Sequence, residues 1–203
     1  ATQSTKAIRT CYTQGCLNEK YRVRCDDMKT MRIVLSPDPI LRAVCEPCEV
    51  GDPALIALAE EMAATMYANY GCGLAAPQVG IQKRLIVVDC NDPEAAPDPI
   101  YLVNPEIIEL KGDPVTDIEG CLSCPGVGVP ITRQPIAHVR YFDLRGRECE
   151  IESDGLLGRC LQHEIDHLDG KTLFESCSPL DRMKALQDYQ AALARGAKPG
   201  QMQ

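Results

Sequence analysis

The spacing of apolar residues along the chain predicts three helices. The first begins at Asp52 and Pro53, because an acid at the N-cap and a proline at the first helical position both favour a helix start. It ends near Gly71, where glycine suits a left-handed C-terminal cap. The same signals predict a second helix over residues 154–168 and a third over residues 178–196.

Shorter apolar runs predict strands before and between the later helices. They lie at residues 84–89, 100–103, 106–110, 136–144 and 148–152. The last two runs flank Arg145 and Gly146, a pair that favours a hairpin turn. Because strands and helices do not alternate as βαβ units, the pattern predicts an α+β domain.

Both ends of the chain lack these patterns. Residues 1–30 show no clean apolar period, and we interpret them as a poorly ordered N-terminal extension. A regular pattern begins at Met31, so the folded domain is predicted to cover residues 31–195. A frayed C-terminal tail is expected over residues 196–203.

Composition narrows the classes of protein that fit. A chain of 203 residues with 45% hydrophobic and 25% charged residues is typical of one globular domain. Its formal net charge of −8 argues against recognition of nucleic-acid phosphates. No apolar run reaches the roughly 18 residues of a membrane-spanning helix. We therefore expect neither a membrane nor a nucleic acid as a direct partner.

The chain contains twelve cysteines, a high number for its length. Disulfide frameworks belong mainly to shorter secreted chains, and the first thirty residues lack the apolar segment of a signal peptide. Reduced thiols in a cytoplasmic setting are therefore the favoured interpretation, with at least one thiol serving as a metal ligand.

Residues 162–167 have the sequence Gln-His-Glu-Ile-Asp-His, which contains the H-E-x-x-H spacing. Residues four apart share one face of a helix, so His163 and His167 can bind the same metal ion. Glu164 starts one residue further round and is placed to reach a water molecule on that ion. This spacing indicates metal-assisted hydrolysis.

A catalytic site of this kind needs a third protein ligand. His138 lies in a predicted strand, where a structural role is more common. Leu173 stands where one protease group has its third histidine, and Glu175 follows His167 too closely to come from a second helix. Cys121, in a segment bounded by glycine and proline, is therefore the favoured third ligand.

Two alternatives stay open from spacing alone. Residues 71–78 end in Gln78, whose amide could serve the site, but the segment could equally be only a helix cap and a tight loop. Two C-x-x-C pairs could also combine into a structural four-cysteine site, formed by Cys45, Cys48, Cys121 and Cys124.

Taken together, three segments resemble the peptide deformylase family. The family motifs G-x-G-L-A-A-P-Q, E-G-C-L-S and Q-H-E-x-D-H occur in this order at residues 71–78, 119–123 and 162–167. The resemblance extends over about residues 31–190. It implies antiparallel β-sheets packed around a central metal-binding helix, with a C-terminal helix. The implied enzyme removes the formyl group from the N-terminal formyl-methionine of newly made polypeptides and releases formate.

The resemblance also implies which residues perform the reaction. Cys121, His163 and His167 would hold one divalent metal ion, for which the family favours ferrous iron (Fe²⁺), with Zn²⁺, Ni²⁺ or Co²⁺ as substitutes. Glu164 would be the general base. The implied partners are formylmethionyl nascent polypeptides. The implied enzyme is a monomer that binds them at the ribosome.

Further residues are implied to bind the substrate. The Gln78 amide and the backbone N–H of Leu122 would form an oxyanion hole. The peptide would lie extended beside a strand edge near Gly73. The pocket for the methionine side chain would be lined by Cys72, Leu156, Cys160 and His163.

Two cysteines depart from the family pattern, and one implied ion pair has a simpler alternative explanation. Cys124 and Cys72 stand where the family usually has other residues, mostly aliphatic, which places spare thiols near the site. Arg133 and Asp166 are implied to pair behind the metal, although a weak surface pair is the alternative.

Two other functions compete with deformylation. A general metalloprotease would cut internal peptide bonds, but Leu173 replaces the third histidine of the large protease group. A metal-binding module without activity would need neither Glu164 nor Gln78. Deformylation is therefore the favoured hypothesis.

Overall fold

The computed structural model describes residues 8–11, 29–92 and 95–201. The N-terminal extension expected over residues 1–30 lies mostly outside these ranges. The helices are α1 (Ala54–Ala68), α2 (Gly155–Leu168), the short α3 (Leu173–Ser176) and α4 (Pro179–Ala194). The strands are β1 (Ile8–Cys11), β2 (Gly73–Ala75), β3 (Leu85–Val88), β4 (Ile100–Lys111), β5 (Val115–Glu119), β6 (Val129–Arg133), β7 (Ile136–Phe142) and β8 (Glu148–Ser153).

The strands form two antiparallel sheets. The larger sheet has the order β1-β8-β7-β4-β3-β2, while β5 and β6 pair as a separate two-stranded sheet. Every pair of neighbours is antiparallel. The predicted α+β class with antiparallel sheets is therefore confirmed.

One predicted boundary between two strands is wrong. The runs at 100–103 and 106–110 are a single strand, β4, whose pairing with β7 shifts register between Val103 and Glu106. Asn104, between them, has a left-handed φ of 50°. A β-bulge of this kind bends a strand without ending it and interrupts the alternation of side chains. The sequence pattern breaks for that reason, although the strand continues.

Helices α1 and α2 pack on opposite faces of the large sheet. Successive side chains of a strand point to opposite faces, so Leu85 and Val87 of β3 join the core beneath α1. Ile86 and Val88 join the core beneath α2. Contacts with β2, β3, β4, β7 and β8 make α2 the central helix, as expected.

Helix α4 covers the small sheet. Hydrogen bonds hold this helix and the residues after it against the rest of the protein. Its Tyr189 hydroxyl donates a hydrogen bond to the carbonyl oxygen of Ser36 at 2.8 Å. We expected the tail to fray from residue 196, but it is held as far as Gln201, whose carbonyl oxygen accepts from the Gly126 N–H at 2.8 Å. None of the helices described here has the length and apolar character needed to cross a membrane.

Candidate metal centre

Helix α2 and the segment after β5 bring three potential metal ligands together. The Cys121 thiol and one imidazole nitrogen each from His163 and His167 lie within 4.8 Å of one another. The Cys121 Sγ atom is 3.3 Å from His167 Nε2. The remaining histidine, His138, is elsewhere on β7, with its Nε2 atom 3.0 Å from a Glu150 carboxylate oxygen.

The four-cysteine alternative does not form among the residues that the structure describes. Cys45 lies in the core beneath α2, and Cys48 lies in the core beneath α1. Cys124 is fully buried in a third cluster, together with residues of β6 and α4. The two C-x-x-C pairs therefore do not converge on one ion.

Gly158 allows α2 to pack close to the backbone of Ser153 and Pro135. A Cβ atom at this position would lie 2.5 Å from the Ser153 carbonyl oxygen and 2.9 Å from that of Pro135. Both are backbone atoms, which cannot move aside as a flexible side chain can. Glycine thus permits the close approach that brings His163 and His167 to the Cys121 sulfur.

Behind the ligands, Glu119 is the centre of a buried charge network. Its Oε2 atom is 2.9 Å from His163 Nδ1. Arg133 donates to both of its oxygens, at 2.6 and 3.0 Å, and Arg159 donates to Oε1 at 2.8 Å. Burial alone would raise the pKa of Glu119, but the hydrogen bonds from His163 and Arg133 outweigh it and lower the pKa to about 2. Glu119 is therefore an anion that fixes the His163 ring.

Arg133 also forms the expected ion pair with Asp166. The guanidinium Nη1 is 2.9 Å from Asp166 Oδ2, and the Arg133 side chain is only 8% exposed. The pair is thus partly buried rather than a weak surface contact, and it joins α2 to β6. Asp166 additionally accepts a hydrogen bond from the Ser176 hydroxyl at 2.9 Å.

Cys124 supports the candidate ligand thiol. A hydrogen bond with Cys124 lowers the pKa of Cys121 well below its usual value, and the nearby histidines lower it further against the opposing effect of burial. This shift favours the thiolate form of Cys121, which is the form that binds a metal. The departure from the family pattern at Cys124 adds a thiol donor to the ligand.

The donor set fits a divalent transition metal. One thiolate and two imidazoles are a recognised catalytic ligand set. Because Glu119 occupies Nδ1 of His163, the Nε2 atom of that ring is left for an ion, as is usual where a carboxylate orients a metal-binding histidine. Chemistry and orientation of the three side chains thus agree with a bound metal.

Glu164 lies buried next to the ligands. Its Oε2 atom has no hydrogen-bond partner among the described residues. Burial raises the pKa of Glu164 to about 7, while electrostatic interaction with the nearby histidines opposes the shift. A buried carboxyl group with a pKa near neutrality and an oxygen without a protein partner suits proton transfer with a bound molecule.

The amide nitrogen of Gln78 faces the Cys121 thiol. The residue lies in the short 3₁₀ helix Ala76–Val79, and its Oε1 atom accepts from the Ala75 N–H at 2.9 Å. This contact fixes which end of the amide faces the site. Gln78 Nε2 is 3.4 Å from Cys121 Sγ and 3.2 Å from Ser123 Oγ. Leu122, whose N–H is the second expected donor, follows Cys121 directly.

The expected substrate residues lie on β2, just before it, and on α2. Strand β2, which contains Gly73, is the end strand of the described sheet. A Cβ atom on Gly73 would clash with Glu164 Oε1 and Cys160 Sγ, so glycine lets these two side chains pack close to the strand. Leu156 and Cys160 are four residues apart on α2, the first exposed and the second buried. Half-buried Cys72 immediately precedes β2.

Comparison with known proteins decides the family. The family model for polypeptide deformylase matches residues 30–183. The chain belongs to the polypeptide deformylase family. It is 45% identical over 170 residues to a peptide deformylase from Hydrogenovibrio crunogenus, which covers 84% of this chain and 99% of that protein. A peptide deformylase from Bartonella bacilliformis is 41% identical over 164 residues, covering 78% and 90%.

Solved deformylase structures share the fold. A crystal structure from Legionella pneumophila has a TM-score of 0.76 and 39% identity, covering 83% of this chain and 98% of that chain. A peptide deformylase from Ehrlichia chaffeensis in complex with actinonin has a TM-score of 0.75 and 37% identity, covering 82% and 98%. Deformylases are metal-dependent hydrolases that remove the formyl group from nascent polypeptides, so the family and the reaction expected from the three motifs are confirmed.

Sequence reasoning assigned no role to Glu119 or Arg159. The position of Glu119 two residues before the candidate ligand Cys121 was the available signal, because carboxylates commonly orient metal-binding histidines. Arg159 gave no signal, since its contact with Glu119 joins α2 to β5 across 40 residues. Cys90 was also missed, although it lies close to Cys72 and Cys160.

Proposed function

We propose that the protein deformylates N-terminal formyl-methionine at the centre formed by Cys121, His163 and His167. The observation that carries this proposal is the convergence of one thiol and two imidazoles within 4.8 Å, beside the buried carboxyl group of Glu164. We place the catalytic domain at residues 31–195, which the family match over residues 30–183 supports.

Family membership makes the enzyme metal-dependent, and we propose Fe²⁺ as the resident ion. The same three side chains suit Zn²⁺, Ni²⁺ or Co²⁺, because ligand type alone separates these ions poorly. When bound, the ion supplies Lewis-acid polarisation of the formyl carbonyl and of the attacking water.

Glu164 moves the proton in this reaction. Its carboxylate takes a proton from the water that attacks the formyl carbon, and it then delivers this proton to the departing amine nitrogen. Formyl-peptide and water thus become formic acid and a free N-terminal amine. The acid then passes its proton to the amine, so the products are formate and an ammonium group, with atoms and charge balanced. Burial of Glu164 favours both steps, because a pKa near neutrality lets the group accept and release a proton at similar cost.

Gln78 and Leu122 stabilise the charge that develops on the formyl oxygen. The Gln78 Nε2 group is oriented by the hydrogen bond from Ala75 to its other end. Together with the backbone N–H of Leu122, it forms the oxyanion hole. Each donor in comparable sites contributes about 3 kcal/mol to transition-state stabilisation.

The peptide binds as an added strand on the edge of β2. Main-chain hydrogen bonds near Gly73 hold it without regard to side-chain identity, which suits an enzyme that processes many different chains. The methionine side chain enters the pocket lined by Cys72, Leu156, Cys160 and His163. We propose a cytoplasmic monomer that acts on nascent chains at the ribosome, and the net charge of −8 supports the absence of direct nucleic-acid recognition.

The decisive experiment measures formate release from formyl-Met-Ala by anaerobically prepared protein. We expect Glu164→Ala to keep its metal ion and lose most of its turnover. The exposed Glu106→Gln variant on β4 is the matched control and should behave as the parent. Equal rates for Glu164→Ala and the parent would remove Glu164 from the mechanism. Cleavage of blocked, unformylated peptides would instead favour a general metalloprotease.

A further inference from the structure

Three thiols outside the catalytic ligands converge beside the methionine pocket. The Sγ atoms of Cys72, Cys90 and Cys160 all lie within 4.8 Å of one another. All three cysteines are free thiols, with Cys160 buried and the other two half-buried. They therefore form a compact group of soft ligand atoms that is open to solvent on one side.

Three separate elements hold this thiol cluster. Cys72 immediately precedes β2, Cys90 follows β3 by two residues, and Cys160 lies on α2. The Asp89 N–H donates to the Cys72 carbonyl oxygen at 2.9 Å, which ties the ends of β2 and β3 together. The same carbonyl oxygen is 3.6 Å from Cys160 Sγ and 3.8 Å from Cys90 Sγ. The thiols are thus presented by a fixed scaffold, as a metal site requires.

The protonation of the cluster also suits a cation. Hydrogen bonds with Cys160 and then with Cys90 lower the pKa of Cys72, while burial opposes the shift. The same interaction with Cys72 raises the pKa of Cys160. These interactions favour the thiolate form of Cys72 and keep the neighbouring Cys160 thiol protonated. A metal cation can take the place of the thiol protons and bind all three sulfurs at once.

We propose that Cys72, Cys90 and Cys160 form a second metal site, which binds one Cu⁺ ion and whose occupation obstructs the methionine pocket. Thiolates select soft ions. The described cluster offers three ligands, whereas a structural Zn²⁺ site almost always has four. Binding releases thiol protons to solvent and changes no oxidation state.

Obstruction follows from the position of two of the ligands. Cys72 and Cys160 line the pocket proposed for the methionine side chain, so an ion bound to their sulfurs occupies or narrows that space. This part of the inference rests on the proposed function. Formation of the site itself does not, because binding of Cu⁺ can be counted without measuring turnover.

The first experiment counts bound Cu⁺ in the full-length enzyme with Ni²⁺ at the catalytic centre. Under anaerobic conditions, the protein is titrated with Cu⁺ buffered by a chromogenic chelator, and both metals are quantified. We expect the parent to bind one Cu⁺ per chain and to retain its Ni²⁺. Cys72→Ser and Cys90→Ser should each abolish this binding, because a hydroxyl is a poor ligand for a soft ion. Cys177→Ser, at a half-buried thiol outside the cluster, should bind as the parent does.

Three results would overturn the second site. The parent could bind no Cu⁺ in competition with the chelator, Cys90→Ser could bind it as well as the parent, or Cu⁺ could enter only by displacing Ni²⁺. Circular dichroism spectra of the variants, compared with the parent, show whether loss of binding reflects loss of fold. The near-isosteric serine substitutions make that control straightforward.

The second experiment tests obstruction. With Cu⁺ bound, the KM of the parent for formyl-Met-Ala should rise by about tenfold while kcat changes little, because an obstructed pocket weakens substrate binding. Cys90→Ser should show no such rise relative to its own KM without Cu⁺. An unchanged KM in Cu⁺-loaded parent would refute obstruction. A parent that binds Cu⁺ but never releases formate would contradict the proposed function and leave the second site standing.

Discussion

Glu119 links the proposed metal ligands to the rest of the protein. Its carboxylate contacts a ligand histidine and two arginines, and its side chain is only 5% exposed. Such a residue acts through His163 rather than on the substrate, because it fixes ring orientation and raises ligand basicity. Glu119 is therefore a positioning residue for the metal.

Glu119→Gln should weaken metal binding without removing a ligand. The neutral amide loses the anion beside His163, removes the carboxylate partner of Arg159, and leaves Arg133 paired only with Asp166. We expect the affinity for the catalytic ion to fall by about 10- to 100-fold in a chelator competition assay. Glu106→Gln, which breaks an exposed ion pair with Arg140, should change the affinity little. Equal affinities of parent and Glu119→Gln would show that the carboxylate does not orient His163.

Gln78→Leu should reduce the rate of the chemical step more than substrate binding. Leucine fills a similar volume but cannot donate a hydrogen bond to the developing oxyanion. We expect kcat to fall by about 100- to 1,000-fold with a small change in KM. The exposed Gln187→Leu on α4 is the matched control. A Gln78→Leu variant that raises KM and spares kcat would place the amide in ground-state binding instead.

The helices were easier to predict than the strands. Helices α1, α2 and α4 each begin and end within a few residues of the predicted bounds, because caps and apolar periods are local signals. Strand β5 was missed because its first four residues are exposed, and Pro130 obscured β6. Strand β2 has only three residues, all buried. These strands are fixed by pairing with distant partners, which the local pattern does not show.

Gly158→Ala should disturb α2 although alanine is the better helix former. The added Cβ would meet two backbone oxygens at 2.5 and 2.9 Å, so the helix must shift away from the sheet. We expect unfolding in urea to require about 2 kcal/mol less free energy, and turnover to fall because the histidines move with α2. In the control Gly128→Ala, the new Cβ meets only the Cγ2 methyl group of the exposed Ile118 side chain, which can rotate away. Similar stabilities of the two variants would contradict this account.

Only part of the candidate site could be predicted from the sequence. The pairing of His163 with His167 follows from helical spacing, so it could be predicted from six residues. Cys121 was chosen by eliminating other ligands and then by resemblance, because the 41 residues between it and His163 fix no distance. Neither the contact of Arg159 with Glu119 nor the approach of Cys90 to Cys160 has a local signal. Both depend on how α2 is set into the sheet, which only the folded molecule shows.

The hydrogen bonds and ion pairs of Glu119 should make the stability of the whole protein depend on pH in the acid range. The pKa of Glu119 falls from 4.5 to about 2 in the folded state. A lowered carboxyl pKa stabilises the fold above the unfolded value, and this stability is lost as the pH falls from about 4.5 towards 2. The difference of about 2.5 units corresponds to roughly 3 kcal/mol.

We therefore expect the free energy of unfolding to fall more steeply with acid in the parent than in Glu119→Gln. Urea unfolding of both proteins in metal-free form, at several pH values between about 6 and 2.5, measures the two slopes without a contribution from ion release. The other carboxylates titrate in both proteins, so the difference between the curves reports Glu119 together with His163, whose pKa is raised in part by its hydrogen bond with Glu119. The gap in stability should be largest near pH 6 and should narrow through the acid range. Parallel curves would mean that Glu119 titrates normally and that its buried charge does not hold the site together.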